Sequence, residues 1–274
     1  MSNDGSRVVM GTVCIGSALP AFKIVRCDAV EGARSREECS DVATVVIPRR
    51  GVFVWETGGE RVVADANTVL LFEPQQPHRI AHPADGGDEC FSLQVRDESL
   101  LERLGADGRP LHWILDGPSQ RTLHALAYAL SVSRDPMETE ELALAILSSL
   151  APKAKPRPDR YARAIDGVRE RIACTPSEAT TLAQLAAGSG LSSFELARRF
   201  RARTGSSIHQ YRLRVRLLQA RARLAAGQVD LTELALELGF ASHAHFTATF
   251  KRAFGIPPSR TRDRAYRSGY SARC

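Results

Sequence analysis

The sequence predicts an α+β chain of two domains, and three observations predict it. Short β-branched segments separated by turn residues fill residues 40 to 96. One helical phrase is written twice after residue 180. The charge also changes sign at APKAKPRPD, residues 151–159, whose prolines, alanines and alternating basic residues mark a linker. The expected domains are therefore residues 1–150, a linker at 151–159, and residues 160–274.

Charge separates the halves. In residues 160–274 there are 20 Lys and Arg against 8 Asp and Glu, a net +12, whereas residues 1–159 carry 17 against 23, a net −6. A basic half beside an acidic one points to a polyanion-binding module joined to something that binds no polyanion. The start, MSNDGSRVVMGTVC, lacks a basic region followed by an apolar run, and no apolar stretch approaches the roughly 20 residues of a membrane span, so a cytoplasmic location without membrane contact is expected. Six cysteines (Cys14, Cys27, Cys39, Cys90, Cys174 and Cys274) show no C-x-x-C pair, which argues against a disulfide framework or zinc finger and for reduced thiols.

In the acidic half, VATVVI (42–47), VFVWE (52–56), RVVAD (61–65), TVLLFE (68–73), HRIAH (78–82) and ECFSLQV (89–95) read as strands of a small barrel or sandwich. Two helical stretches follow. SQRTLHALAYALS presents Leu123, Leu126, Ala127 and Leu130 on one face, and METEELALAILSSL presents Leu142, Ala145, Ile146 and Ser149.

In the basic half the repeated phrase is QLAAGSGLSSFELARRF and ELALELGFASHAHFTATF. Each copy sets Leu-Ala ahead of a glycine, Gly190 or Gly239, and then an apolar pair at helical spacing, Leu196/Phe200 or Phe246/Phe250. The glycine supplies the positive φ of a tight turn, so each copy reads as a helix-turn-helix. Ser192 with Glu195, and Ser242, are placed to cap the second helix of each unit. Between them, residues 206–227 carry Ile208, Tyr211, Val215, Leu218, Ala222 and Ala225 at steps of three and four, a long connecting helix.

On LSSFELARRFRARTG (191–205), YRLRVRLLQARARL (211–224) and GFASHAHFTATFKRAFGIPPSRTR (239–262), residues 160–266 resemble the C-terminal DNA-binding domain of the AraC/XylS family of transcription regulators. The resemblance implies two helix-turn-helix units on one rigid helix, their second helices entering successive major grooves of a double-stranded operator. It places Phe194, Ala197 and Arg198 at base-contact positions, and Arg198 suits guanine O6 and N7. In the second unit Phe240, Phe246 and Phe250 anchor the helix, leaving His243, His245 and Thr247 toward base edges, with Ala244 and Ala248 suited to thymine methyls. Expected phosphate contacts are Ser192, Arg199, Lys251, Arg252 and Ser259, the last in a short helix begun by Pro257-Pro258. Arg201 and Arg203 are assigned to phosphates or solvent.

TVLLFEPQQPHRIAHP resembles the cupin-like sensor domain of many relatives, which implies a small-molecule effector and helices that pair two subunits; the helices could equally only cover the barrel. RNA polymerase is a further expected partner of an activator. Phe53, Trp55, Phe72, His78, Arg79, His82 and Phe91 are the candidate effector-pocket residues. His78 and His82 leave three roles open: metal ligands of a cupin-type enzyme, polar groups of the pocket, or structure. The H-x-H pair with a following carboxylate is missing, so no metal, cofactor or catalytic residue is expected. Cys90 with Cys27 or Cys39 remains an alternative thiol- or metal-responsive site. No serine-histidine-acid set, P-loop or dinucleotide fingerprint argues for an enzyme.

Overall fold

A computed structural model describes residues 7–12, 22–106, 111–133, 135–150, 160–227 and 230–261. The linker segment 151–159, Cys14 and Cys274 lie outside the described residues. Among the described residues nine strands make two antiparallel sheets. The first contains β1 (Arg7–Thr12), β2 (Phe22–Asp28), β3 (Ala43–Arg50), β6 (Thr68–Phe72), β8 (Asp88–Val95) and β9 (Leu111–Ile114) in the order β1-β2-β8-β3-β6-β9. The second is β5-β4-β7, with β4 (Phe53–Thr57), β5 (Glu60–Ala64) and β7 (His78–Ala81).

Of the barrel or sandwich expected, the described residues form two sheets packed face to face, with no ladder joining them into one ring. Strand alternation builds the layers. Val45 and Ile47, Val69 and Leu71, and Phe91 and Leu93 face helices, whereas Val46, Leu70 and Cys90 turn the other way to meet Phe53, Trp55, Val62 and Ala64 of the small sheet. Burial on both faces explains why TVLLF is an unbroken apolar run.

Helix α1 (Glu98–Leu104) precedes β9, and α2 (Gly117–Val132) and α3 (Pro136–Ser149) cover the large sheet. Leu123, Ala127 and Leu130 are buried as the sequence stripe predicts. On α3 the buried line is instead Ala143, Ile146 and Leu147, continued by Leu150, and Ser149 is exposed. Asp135 caps the start of this helix, whose buried residues share one core with those of α2.

The basic half holds α4 (Ala162–Cys174), α5 (Leu182–Ser189), α6 (Ser193–Thr204), α7 (Ile208–Ala226), α8 (Leu231–Glu237) and α9 (His243–Phe254). Helix α7 serves two cores. Tyr211 and Val215 pack with Ile165, Leu185, Leu196 and Phe200, while Leu217, Ala220 and Leu224 pack with Leu234, Phe240, Phe246 and Phe250. The sequence stripe assigned Leu218 and Ala222 to the same inner face. They instead line a small cleft against the β-rich half, because α7 is covered on a third side by β3 and α2. No described helix is long and apolar enough to cross a membrane.

Candidate nucleic-acid interface

Each reading helix is fixed by a turn and a cap. Gly190 and Gly239 have φ of +70° and +76°, the left-handed turn expected from the repeat. The Ser192 hydroxyl accepts the Glu195 N–H at 3.2 Å, and the Ser242 hydroxyl accepts the His245 N–H at 3.1 Å. The reciprocal half of the first capping box is missing, because the Glu195 carboxylate is taken by Arg199 at 2.8 Å. Inward anchors Leu196 and Phe200 on α6, and Phe246 and Phe250 on α9, are fully buried. The opposite faces are therefore left to solvent.

On α6 that face shows Phe194, 79% exposed, and Arg198, whose guanidinium only approaches Glu195 at 3.8 Å. On α9 it shows His243, Ala244, His245 and Ala248, with Thr247 half-buried and 3.3 Å from His243 Nε2. Lys251 and Arg252 are exposed in the last turn of α9, and Ser259 is half-buried in a helical turn at 258–261. An apolar ring left in water beside an extended guanidinium suits a surface completed by a partner.

Many of the arginines are committed inside the protein. Arg199 pairs with Glu195 and lies 3.5 Å over the Tyr161 ring. Arg203 holds Asp166 through two bonds of 3.1 and 2.7 Å, so its assignment to phosphate or solvent is replaced by a structural one. Arg212 donates to the Thr180 carbonyl, and Arg216 to those of Pro176 and Gly239. Asp166 is held below the usual carboxylate range: burial opposes its charge, but Arg169 and Arg203 outweigh it.

The sensor half meets this module through buried polar groups. Arg169 donates to Tyr211 Oη at 2.9 Å, Thr68 Oγ1 at 2.7 Å and the Val63 carbonyl at 3.1 Å, and the Tyr211 hydroxyl donates to Asp65. Arg214 reaches Asn67 at 3.0 Å, and Gln120 reaches the same oxygen at 2.6 Å. Burial pushes the Tyr211 phenol up. Nothing in the sequence marked these residues except the helical placement of Tyr211.

The seven candidate pocket residues do not share one cavity. Trp55 is fully buried and stacks on Phe72 at 5.0 Å, Phe53 packs with them, and His78 lies 4.6 Å from Phe72 with its Nδ1 bonded to the Gln76 carbonyl. Arg79 is half exposed and pairs with Glu37. Phe91 alone of the seven lines the small cleft between the halves, with Arg49, His124, Tyr128, Leu218, Arg221 and Ala222. His82 sits elsewhere, 2.7 Å from Asp88 and beside Cys27. Burial opposes its charge, but Asp88 and Cys27 lift it to about 9. Cys90, pushed up by burial and by Asp88, donates to that carboxylate, whereas Cys39 is exposed and apart.

Paired helix-turn-helix units on a shared helix, with their reading faces exposed and a β-rich domain docked behind, define a transcription regulator's architecture. Residues 9–152 match the AraC-binding-like domain family, and residues 185–264 match a helix-turn-helix domain family. The chain belongs to the AraC family of transcription regulators, and the matched domains are those of regulators, not enzymes. It is 29% identical over 241 residues to the HTH-type transcriptional activator RhaS of Klebsiella pneumoniae, covering 81% of this chain and 85% of that one. It is 28% identical over 93 residues to the regulator MtrA of Neisseria gonorrhoeae, 34% of this chain and only 31% of that relative's length. A solved apo structure of a ToxT variant from Vibrio cholerae is 14% identical, with a TM-score of 0.39, over 90% of this chain and 97% of that one.

Proposed function

We propose that the protein is an effector-responsive, sequence-specific DNA-binding regulator that reads two successive major grooves, with residues 1–150 sensing, 151–159 linking and 160–274 binding DNA. The observation that carries this reading is the shared helix α7: it belongs to both cores, so α6 and α9 are held at a fixed separation with Phe194 and Arg198, and His243, His245 and Thr247, outward. Lys251 and Arg252 flank the second face and supply phosphate contacts, as do the hydroxyls of Ser192 and Ser259. Arg199, already paired to Glu195, contributes less. The activator RhaS supports positive regulation, with RNA polymerase as the partner and the cytoplasm as the place of action, and α3 offers a surface for a second copy through exposed Met137 and Leu144.

Selection of bound fragments from random double-stranded DNA by the full chain tests the reading. The expected site has two conserved blocks about 10 base pairs apart, one per reading helix. A single block, or none, would mean that α6 and α9 do not read DNA together.

A further inference from the structure

One cluster in the sensor half is used neither by the reading helices nor by the contact between the halves. Cys27 on β2 stands directly opposite Asp88 on β8 in the antiparallel register, and Cys90, two residues on, shares that face. His82 enters from the loop after β7. Ligand atoms of Cys27, His82 and Asp88 lie within 4.8 Å of one another. His82 Nε2 is 2.7 Å from one Asp88 oxygen, and the Cys90 thiol is 3.1 Å from the other.

Backbone contacts hold the three elements in place independently of these side chains. His82 N–H donates to the Ala33 carbonyl at 2.8 Å, the His82 carbonyl accepts from Gly32 at 2.9 Å, and Gly86 N–H donates to Ala29 at 3.0 Å. The Glu31 N–H adds a bond to Asp85 at 2.8 Å. Gly87 completes the closure: a Cβ there would lie 1.7 Å from the Cys27 carbonyl, so only glycine lets the loop press on β2 at that point.

We propose that Cys27, His82 and Asp88 bind one thiophilic divalent transition-metal ion, Zn²⁺ foremost, with a water molecule in the fourth position. One sulfur, one imidazole nitrogen and one carboxylate oxygen match the donors zinc takes in four-coordinate sites, and exclude ions that demand all-oxygen shells. Three converging protein ligands with a fourth place left to water are the arrangement of an open zinc site, as against a closed four-ligand one. His82 and Asp88 are buried while Cys27 is half-buried, which gives the ion a route from solvent. A buried histidine–aspartate ion pair alone does not account for the Cys27 sulfur beside it. The ion ties β2, β8 and the β7–β8 loop together at one corner of the large sheet, and this assignment stands apart from the DNA-binding reading.

The test uses the reduced full chain, with Zn²⁺ titrated against a chromophoric chelator and Co²⁺ as a spectroscopic probe. Wild-type protein and the control Cys39→Ser are expected to hold one equivalent of Zn²⁺ per chain and to show a thiolate-to-cobalt charge-transfer band. Cys27→Ser and His82→Gln, each with an unchanged far-ultraviolet spectrum, are expected to weaken Zn²⁺ by more than about 100-fold, beyond the loss of an outer partner, and Cys27→Ser to diminish the band. Equal affinity in wild type and both variants overturns the proposal. So does an undiminished band in Cys27→Ser.

Discussion

The Arg169 guanidinium of α4 lies 2.7 Å from the Thr68 hydroxyl at the start of β6, although 101 residues separate them. Its countercharges come from both halves, Asp166 at 3.0 Å from its own helix and Asp65 at 3.7 Å from the sensor sheet. All of these side chains are buried or nearly so. A buried cation stripped of a partner is costly, so the network is sensitive to charge removal on the sensor side.

Asp65→Asn keeps an acceptor for the Asn67 N–H, which bonds Asp65 at 2.8 Å, and removes the charge that faces Arg169 together with the oxygen that accepts from the Tyr211 hydroxyl. The expected cost is on the order of 3 kcal/mol of unfolding free energy. Tyr211→Phe leaves Arg169 Nε and an Asp65 oxygen short of a partner and is expected to cost about 1–3 kcal/mol. Urea denaturation measures both. An unchanged midpoint for Asp65→Asn would mean that Asp166 alone balances Arg169.

Gly190 and Gly239 look equivalent in the repeat, yet substitution should separate them. Both have positive φ, so alanine at either position is strained by about 1 kcal/mol or more. At Gly190 a Cβ meets nothing within 4 Å, whereas at Gly239 it falls 2.7 Å from the Ser177 carbonyl oxygen and 3.0 Å from Arg216. Gly239→Ala is expected to lose at least about 1 kcal/mol more than Gly190→Ala, because backbone must move as well. Equal losses in thermal unfolding would show that the 176–178 segment yields without cost.

Arg198 and Arg252 separate base reading from phosphate binding. Arg198→Ala is expected to weaken the selected site by about 1–3 kcal/mol and to relax one base position. Arg252→Ala should weaken all sequences alike and reduce the salt slope by about 1. Binding isotherms on specific and random duplexes, each at two salt concentrations, make the comparison. If both variants lose specific and random affinity equally, Arg198 is a phosphate contact.

Local signals were legible and long-range ones were not. The glycines of both turns, the serine caps and the joining helix each rest on residues a few positions apart, and the structure shows them as read. The Cys27–Asp88 meeting depends on strand register across 61 positions, which no local pattern encodes. The aromatic residues Phe53, Trp55 and Phe72 read as surplus to a small barrel's core because the depth of the interface between the two sheets, which they fill, depends on long-range packing that no local pattern gives. Likewise the basic excess overstated the exposed cationic surface, since Arg169, Arg203, Arg214 and Arg216 are consumed in building the domain and its contact with the sensor.

His124 ties that contact to pH. It is buried on α2 with Nε2 3.0 Å from the Ala66 carbonyl, faces Arg221 of α7 and Arg49 of β3, and is lowered to about 3, chiefly by burial. His112 on β9 is lowered to about 4 by burial and by Arg169 and Arg203. Both are neutral in the folded chain at pH 6, whereas in the unfolded chain they take up protons below about 6.5. The unfolded state therefore binds more protons between 6.5 and these lowered values, and stability falls as pH falls through that window. Asp166, with its lowered value, adds a loss only at more acidic pH. Each histidine contributes a slope approaching about 1.4 kcal/mol per pH unit. His124→Gln keeps a donor for the Ala66 carbonyl and removes the titration, so its slope between pH 6 and 5 should be shallower by that amount. Urea unfolding at the two pH values measures it, and parallel slopes for wild type and variant would place the proton uptake at another group.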